Sequence, residues 1–416
     1  MKRLLALAWC MPPIVAPRSI QVSRLLAALV ALDWQSDVVT VDPASLRPSS
    51  LILDDSLNRS AGGKVKKYLV PSLEDWVLVR GLIRLFPALG VLPDPKWVWK
   101  NAAFRKCEIL AESQKYSAFI SFAQPWTDHI AGLQFKEQSR LPWVAHFSDP
   151  WADNPYVKAS KWVHNKRYEM ESAVINAADA VIFVSKQTAN LVMNKYPDSW
   201  QKKVHIIPHG FEPISNPIST NSNNPDKPLE LVYTGNFYGP RSPESLLKAV
   251  SMLNATPGYS KSIRIWFIGP LSQQFVHLAQ ELDLAEIVSF EGAATNSKSQ
   301  EACQQADVLL VIDAPSDIPS VFLPSKLVDY LAFEKPILGI TPQLGSSAEL
   351  LNKLGCPIVD PQDVEGIMRE LTRLIDARRK GNLTLPLKFL PTARQYQIQY
   401  AAALLDQVLM SITANK

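Results

Sequence analysis

The chain lacks long apolar runs. Although 47% of its 416 residues are hydrophobic, no stretch approaches the ~18 consecutive apolar residues that a membrane-spanning helix needs. The short apolar run at residues 4–10 follows Lys2 and Arg3 as in a signal peptide, but Pro12 and Pro13 end it early. We therefore expect a first buried strand there, and a cytoplasmic protein that is either soluble or bound to a membrane surface.

Cysteine is also scarce. The four cysteines stand far apart, without the spacing of zinc ligands, redox pairs or a disulfide framework. They are Cys10, Cys107, Cys303 and Cys356. This pattern predicts buried thiols in a reducing compartment.

Extreme charge and nucleic-acid-binding signatures are absent. The net charge is +4, the pI is about 8.7, and no RNA- or DNA-binding module is recognisable, so we expect no nucleic-acid partner. The charge is nevertheless uneven: residues 1–210 carry 26 Lys and Arg against 18 Asp and Glu, whereas the remainder carries 17 against 21. This asymmetry predicts that the first half faces an anionic partner.

What the first half does contain is short apolar strands that alternate with helical patterns. Strands are predicted at residues 4–9, 37–41, 116–122, 142–147, 179–185 and 204–208, with a helix over residues 19–32. Strands separated by helices form mainly parallel sheets that are covered on both faces.

A second strand series follows residues 215–228, which are rich in Asn, Pro and Ser. Its strands are predicted at residues 229–234, 263–268, 287–290, 308–312, 337–340 and 357–359, and a helical pattern covers residues 392–412. The sequence thus predicts an α/β protein with two doubly wound domains, residues 1–209 and 229–390, joined by a linker at 210–228 and followed by a terminal helix at 391–416.

The strongest functional signal is the segment 320–338, which reads SVFLPSKLVDYLAFEKPIL. Pro324 and Ser325 open a helix, whose first backbone N–H groups attract phosphate oxygens. Asp329 follows about one turn later, where a carboxylate accepts hydrogen bonds from ribose hydroxyls. A turn, a helix with a carboxylate and a new strand, in this order, suit a nucleotide-diphosphate pocket.

A second signal lies at residues 234–241, TGNFYGPR, directly after a predicted strand. Its two glycines permit close approach of the backbone to a ligand. Arg241 offers a charge-assisted fork for a diphosphate.

These two segments, together with residues 144–151, resemble family-4 glycosyltransferases, and the resemblance runs over nearly the full length. It implies the GT-B fold, in which two Rossmann-like domains face each other across a cleft and a C-terminal helix crosses back to the first domain. It also implies a retaining, metal-independent transfer of a hexose-type sugar from a nucleotide diphosphate sugar to an acceptor hydroxyl. In this fold the first domain binds the acceptor and the second binds the donor.

The segment also departs from the family. Many relatives have two glutamates eight positions apart where this chain has Val321 and Asp329, and Glu334 replaces the usual glycine. Two alternatives therefore stay open. One is a non-catalytic descendant that binds a nucleotide sugar, and the other is a nucleotide-sugar epimerase of the same fold.

The donor-side candidates stand at strand ends or at the start of the predicted helix. They are Gly235, Asn236, Arg241, Gly269, Gly292, Ser325, Lys326, Leu327 and Asp329. These candidates also have an alternative interpretation without a ligand. Arg241 and Lys326 could be solvated cations, Asp329 could be a surface carboxylate, and the glycines could belong to ordinary turns. Asp313 either touches the donor sugar or caps a helix.

The acceptor-side candidates centre on residues 146–151, HFSDPW, which resemble a loop that relatives aim into the cleft. Asp149 is the first candidate for orienting an acceptor hydroxyl or accepting its proton, with His146 beside it and Arg241 and Lys326 as the other catalytic candidates. Ser148, Trp151 and Arg18 complete this side. Alternatively, His146 is a core residue, Asp149 a helix cap and Arg18 a solvated loop residue.

Residues 60–106 combine nine basic and three acidic residues with interspersed aromatic ones. The basic residues are Lys64, Lys66, Lys67, Arg80, Arg84, Lys96, Lys100, Arg105 and Lys106. Such a segment suits an anionic membrane interface, or else forms helices that bury their aromatic side chains in the core.

The resulting functional prediction is a glycosyltransferase of cell-surface polysaccharide or glycolipid assembly. Its expected partners are a nucleotide-sugar donor, a saccharide or lipid-linked saccharide acceptor and an anionic membrane, with no metal or other cofactor. We expect it in the cytoplasm or at the inner face of the plasma membrane.

Overall fold

The computed structural model describes residues 2–60, 65–214 and 227–414. The chain divides into two units, residues 1–210 with 398–416, and residues 211–397. Most of the predicted linker, residues 215–226, lies outside the described residues, as does Lys64 of the basic segment.

The first unit is built on a parallel sheet of seven strands in the order β3-β2-β1-β4-β5-β6-β7. The strands are β1 (Lys2–Leu7), β2 (Trp34–Val41), β3 (Val65–Val70), β4 (Ala118–Ala123), β5 (Trp143–Phe147), β6 (Ala180–Phe183) and β7 (Val204–Ile206). The α-helices in the N-terminal part of this unit are α1 (Pro17–Ala28), α2 (Ser56–Ser60), α3 (Val77–Leu85), α4 (Lys100–Ser113), α5 (Thr127–Ser139), α6 (Lys161–Ala177), α7 (Lys186–Met193) and α8 (Asp198–Gln201).

Strand β1 shows why the sheet is covered on both faces. Successive side chains of a strand point to opposite faces, so Leu5 and Leu7 enter one core cluster while Leu4 and Ala6 enter another. The first apolar run is therefore a buried strand, as predicted. All four cysteines are free and buried, as the sequence predicted.

Strand β3 was missed in the sequence because it carries Lys66 and Lys67 between its apolar residues. It pairs only with β2, at the edge of the sheet. Charged side chains on an edge strand are common, since they discourage pairing with another chain.

The second unit contains a parallel sheet of six strands in the order β10-β9-β8-β11-β12-β13. The strands are β8 (Leu229–Thr234), β9 (Ile263–Ile268), β10 (Val288–Gly292), β11 (Val308–Ile312), β12 (Ile337–Ile340) and β13 (Ile358–Val359). The helices are α9 (Glu244–Asn254), α10 (Gln273–Glu281), α11 (Asn296–Gln305), α12 (Ser325–Tyr330), α13 (Ser346–Leu354), α14 (Val364–Arg379) and α15 (Phe389–Arg394). Two parallel-sheet α/β units thus confirm the predicted fold class.

The predicted terminal helix is divided in the structure into α15 and α16 (Ile398–Ala414). The break has a clear cause: the carbonyl oxygen of Tyr396 accepts a hydrogen bond from the N–H of Phe211 at 3.0 Å, so it does not continue a helical ladder. Helix α16 packs on α1 within the first unit, and its Asp406 accepts a hydrogen bond from Trp34 Nε1 at 2.7 Å.

Candidate functional site

In the second unit, glycines lie at the carboxyl ends of three neighbouring strands. Gly235 follows β8 with φ of 126°, a conformation that favours glycine. A Cβ on Gly269 would lie 1.9 Å from the carbonyl oxygen of Gly235, and the N–H of Gly269 donates to the oxygen of Gly292 at 2.9 Å. The structure thus brings these three candidates together, and the strand ends form a backbone surface without side chains.

Lys326 places an ammonium group against this surface. Its Nζ lies 3.6 Å from the centre of the Tyr233 ring, and a Cβ on Gly235 would be only 2.7 Å from it. The Nζ atom is buried and has no hydrogen-bond partner within the described part of the chain. Burial lowers the pKa of Lys326 well below 10.5, and the charge of Arg241 lowers it further, whereas the charge of Asp313 opposes this shift.

Arg241 is the second cation of this cluster and is fully buried. Its Nη2 donates to Oδ1 of Asp313 at 3.0 Å, while the Thr341 hydroxyl donates to the other carboxylate oxygen at 3.1 Å. Asp313 therefore holds Arg241 rather than capping a helix. Neither Arg241 nor the ammonium of Lys326 is solvated, so burial excludes that alternative for both cations.

Tyr330 ties helix α12 to the end of β8. Its hydroxyl accepts a hydrogen bond from the N–H of Thr234 at 2.9 Å, which fixes the start of the helix beside Gly235. Ser325 and Asp329 lie half-buried on the same helix. Sequence reasoning assigned no role to Tyr233, which directly precedes the segment 234–241.

Leu327 requires a correction, because its side chain lies in the core of the second unit. Its backbone N–H donates to the Pro324 carbonyl oxygen at 3.0 Å. Asn236 follows Gly235, and its carbonyl oxygen accepts a hydrogen bond from the Tyr233 hydroxyl at 3.3 Å.

The segment before α12 is held by the turn before α13. Ser320 and Gly345 form a bridge in which the N–H of Ser346 donates to the Ser320 oxygen at 2.8 Å. A Cβ on Gly345 would lie 2.4 Å from the Ser320 backbone, so this glycine is needed for the contact. Val321 is buried here, and no carboxylate occupies the position of the first glutamate.

In the first unit, Arg18 lies at the start of α1 beside two histidines. Its Nη2 is 3.0 Å from Nδ1 of His146 and 3.1 Å from the His146 carbonyl oxygen, and its Nε is buried without a partner among the described residues. Burial lowers the pKa of Arg18 to about 10 and that of His209 to about 3, and it lowers the pKa of His146 well below 6.5. The histidines are therefore neutral, and the arginine is not a solvated loop residue.

Asp149 follows β5 and is half-buried. Its Oδ2 accepts hydrogen bonds from the Ser148 hydroxyl at 3.1 Å and from Gln124 Nε2 at 3.4 Å. Burial raises its pKa, whereas the Ser148 bond and the Arg18 charge oppose that shift. Because the next helix, α6, begins only at Lys161, Asp149 does not cap it.

Trp151 also requires a correction. Its side chain is buried and stacks on Trp126 with ring centres 4.9 Å apart, so it packs in the core instead of facing an acceptor. Glu171, which the sequence did not single out, accepts a hydrogen bond from the N–H of Ala152 at 3.0 Å. This packing fixes the loop that carries Asp149.

The comparisons with known proteins give a family match and structural neighbours. Residues 19–213 match the model of a family described as Glycosyltransferase Family 4. The matched segment covers just under half of the chain. The matched segment contains His146 and Asp149, begins one residue after Arg18, and ends before the cluster around Lys326. A search of curated protein sequences gave no match.

Solved structures extend the likeness over the whole chain. Sucrose-phosphate synthase from Thermosynechococcus elongatus is 18% identical with a TM-score of 0.69, and each chain is covered to 100%. The lipopolysaccharide outer core galactosyltransferase WaaB, in its apo form, is 12% identical with a TM-score of 0.61, at 98% and 99% coverage. A protein assigned as a UDP-N-acetylglucosamine 2-epimerase from Listeria monocytogenes is 10% identical with a TM-score of 0.60, at 100% and 98% coverage. The family match and the shared fold support a glycosyltransferase of the GT-B type.

Proposed function

We propose that this chain transfers a hexose-type sugar from a nucleoside diphosphate sugar to an acceptor hydroxyl, with retention of anomeric configuration. One observation carries the proposal: the buried Lys326 amino group lies against the glycine strand ends without a hydrogen-bond partner among the described residues. Charging this amine in a buried site is costly, and a diphosphate supplies negative charge that favours the ammonium form.

In this proposal, the two cations of the second unit stabilise the departing diphosphate. Negative charge grows on the leaving group as the glycosidic bond breaks, and fixed positive charge in a buried site stabilises it more than in water. Lys326 contacts the phosphates directly, while Asp313 keeps Arg241 in place. We propose that transfer needs no metal ion.

On the acceptor side, Asp149 orients the acceptor hydroxyl and Arg18 supplies positive charge next to neutral His146. We propose a saccharide or lipid-linked saccharide acceptor in cell-surface polysaccharide or glycolipid assembly, at the inner face of the plasma membrane. A lipopolysaccharide galactosyltransferase among the structural neighbours supports this choice. No helix among the described residues is long and apolar enough to cross a bilayer.

The decisive experiment combines ligand screening with product analysis. Thermal shift against nucleoside diphosphates and their sugars identifies the donor, since a ligand at about 100 times its Kd stabilises by about 2.7 kcal/mol. The donor that binds is then incubated with and without saccharide acceptors. Failure of every nucleoside diphosphate to stabilise the protein would refute the proposal.

Two alternatives have support of their own. The buried Val321 at the first glutamate position favours a binding protein without turnover, which would show nucleotide-sugar binding but neither transfer nor hydrolysis. The Listeria neighbour favours an epimerase, which would convert the donor sugar without any acceptor.

Replacing Asp329 by Asn tests ribose binding. A hydrogen bond to an ionised carboxylate contributes about 1.5 to 3 kcal/mol, so nucleoside diphosphate affinity falls roughly tenfold to hundredfold. Calorimetry with ribose and 2′- or 3′-deoxyribose nucleotides measures this, and the deoxy forms lose less in the variant. Asp283→Asn, an exposed carboxylate, is the matched control. Equal losses for ribose and deoxyribose nucleotides would exclude a ribose contact.

Replacing Asp149 by Asn tests acceptor orientation. We expect transfer to fall roughly tenfold to hundredfold, because a hydrogen bond from the acceptor hydroxyl to a carboxylate is lost. Nucleoside diphosphate affinity should stay unchanged, and Glu137→Gln should leave both unchanged as an exposed control. Loss of nucleotide binding in the Asp149 variant would contradict the assignment.

A further inference from the structure

Helix α3 and its flanking residues present large apolar side chains to solvent. Val77, Leu78 and Leu85 are 76%, 75% and 74% exposed, and Trp76 and Phe86 at the helix ends are also exposed. No residue of α3 is buried. A concentration of this kind on one short helix is unusual for surface that faces only water, and it marks an interaction site.

The exposure follows from a fixed orientation of the helix. At about 3.6 residues per turn, Val77, Leu78, Leu82 and Leu85 share one face. Val79 and Ile83 lie on the opposite side and are half-buried. A Cβ on Gly90 would lie 3.0 Å from the Ile83 side chain, so this side packs against the following turn.

The charge around α3 is positive. Arg80 and Arg84 are exposed beside the apolar face, and the helix contains no acidic residue. The acidic residues that precede α3 in the sequence have other partners. Glu74 forms an ion pair with Lys96 and accepts a hydrogen bond from the Ser72 hydroxyl at 3.0 Å, and Asp75 accepts a hydrogen bond from the N–H of Arg47 at 2.8 Å.

The remainder of the basic and aromatic segment has a different environment. Trp99 and Phe104 are buried in the core of the first unit, so the core interpretation holds for these residues. The interface interpretation is left for residues 76–86, which we call the α3 surface.

We propose that the α3 surface docks on an anionic lipid bilayer. The apolar side chains enter the boundary below the headgroups, Arg80 and Arg84 contact lipid phosphates, and Trp76 occupies the interface. A second copy of the chain fits less well, since a two-fold interface would bring the arginines of both copies together. This proposal rests on the proposed function only in that a lipid-linked acceptor lies in the same membrane.

The apolar contribution is tested by replacing Val77, Leu78 and Leu85 together with Ser in the full chain. Co-sedimentation uses vesicles of roughly one-third phosphatidylglycerol in phosphatidylcholine. The unmodified chain binds, and the triple variant falls to the level seen without vesicles. The matched control replaces three other exposed apolar residues, Ile109, Leu387 and Met410, with Ser and retains binding.

The charge contribution is tested with Arg80→Gln and Arg84→Gln combined. Partitioning weakens roughly thirtyfold at low salt, and binding of the unmodified chain falls with added salt or in pure phosphatidylcholine. Arg105→Gln with Arg394→Gln removes the same charge at two other exposed positions and changes little.

Any of three outcomes would overturn the proposal. The first is that the unmodified chain fails to sediment with anionic vesicles, and the second is that both triple variants bind vesicles equally well. The third is that light scattering shows a dimer that the α3 substitutions dissociate. Nucleoside diphosphate affinity is measured on every variant. Loss of vesicle binding with retained nucleotide affinity supports the α3 surface, whereas absence of nucleotide binding in all proteins refutes the proposed function alone.

Discussion

Replacing Lys326 by Met lowers kcat/KM for sugar transfer by roughly a thousandfold, the expected consequence of removing one preorganised group that stabilises transition-state charge. The ammonium is buried at 3.6 Å from the Tyr233 ring centre and has no hydrogen-bond partner in the described part of the chain. In the proposed function, a bound diphosphate provides its counter-charge. Steady-state kinetics with the donor found by screening measures the effect.

Stability separates this functional loss from misfolding. Methionine is close to lysine in shape, and removing a buried polar group that has no hydrogen-bond partner is neutral or stabilising. We therefore expect the ligand-free variant to unfold at the same denaturant concentration as the original chain, or higher. Lys335→Met is a matched control, because Lys335 is also buried with an unpaired Nζ in the described structure and its pKa is lowered to about 8. If the control loses as much activity, Lys326 has no specific role.

The lowered pKa of Lys326 gives the same prediction a pH dependence. Burial and Arg241 favour the neutral amine in the ligand-free protein, whereas a bound diphosphate favours the ammonium. At pH values between the lowered pKa of the ligand-free protein and the higher pKa of the complex, binding takes up a proton, so affinity falls as pH rises, by at most about tenfold per pH unit. Calorimetry in buffers of different ionisation enthalpy measures the uptake. The Lys326→Met variant should show none, and absence of uptake in the original chain would contradict a direct phosphate contact.

Replacing Asp313 by Asn lowers the unfolding free energy by about 3 to 5 kcal/mol, because Arg241 keeps a buried charge after losing its carboxylate. Nη2 of Arg241 lies 3.0 Å from Oδ1 of Asp313, and the side chains of Arg241 and Asp313 are 3% and 2% exposed. Asparagine preserves the size of the side chain and can still accept the hydrogen bond of Thr341. The cost is therefore electrostatic, and chemical denaturation of the full chain measures it.

Two further variants sharpen this measurement. Arg241→Met combined with Asp313→Asn removes the uncompensated charge, so the double variant should be more stable than Asp313→Asn alone. Glu244→Gln breaks the exposed pair with Lys248 and should change stability by less than about 1 kcal/mol. A bound nucleoside diphosphate should stabilise Asp313→Asn more than the original chain, since it offers Arg241 a new anion. Equal stability of the single variant and the original chain would show that Asp313 does not compensate Arg241.

A helix or strand could be predicted from the sequence when its bounds are set by neighbouring residues, and not when they depend on residues far away in the chain. Strands β8, β9, β11 and β12 begin and end where the apolar runs predicted, because buried parallel strands read as continuous apolar segments. Strand β3 was missed because Lys66, which is exposed, and Lys67, which is half-buried, interrupt its apolar segment. The break between α15 and α16 depends on Phe211, which is far away in the sequence and leaves no local signal.

The candidate site shows the same division. Residues 234–241 and 320–338 identified Gly235, Arg241, Lys326 and Asp329, because turn glycines and cations at strand ends are visible in the chain. The corrections at Trp151 and Leu327 arose because an aromatic or apolar residue in a functional loop reads the same whether it faces a ligand or the core. Asp313 was ambiguous since its partner, Arg241, is distant in sequence.

The sequence by itself determined two parallel α/β units, buried cysteines and the two segments that carry the glycines and cations of the second-unit cluster, since these follow from apolar periodicity and local turn chemistry. Only the tertiary structure decided that Lys326 and Arg18 are enclosed, that Arg241 is paired with Asp313, and that α3 faces solvent while Trp99 faces the core. Burial and charge compensation are set by groups far apart in the chain, so they exist only once the chain has folded.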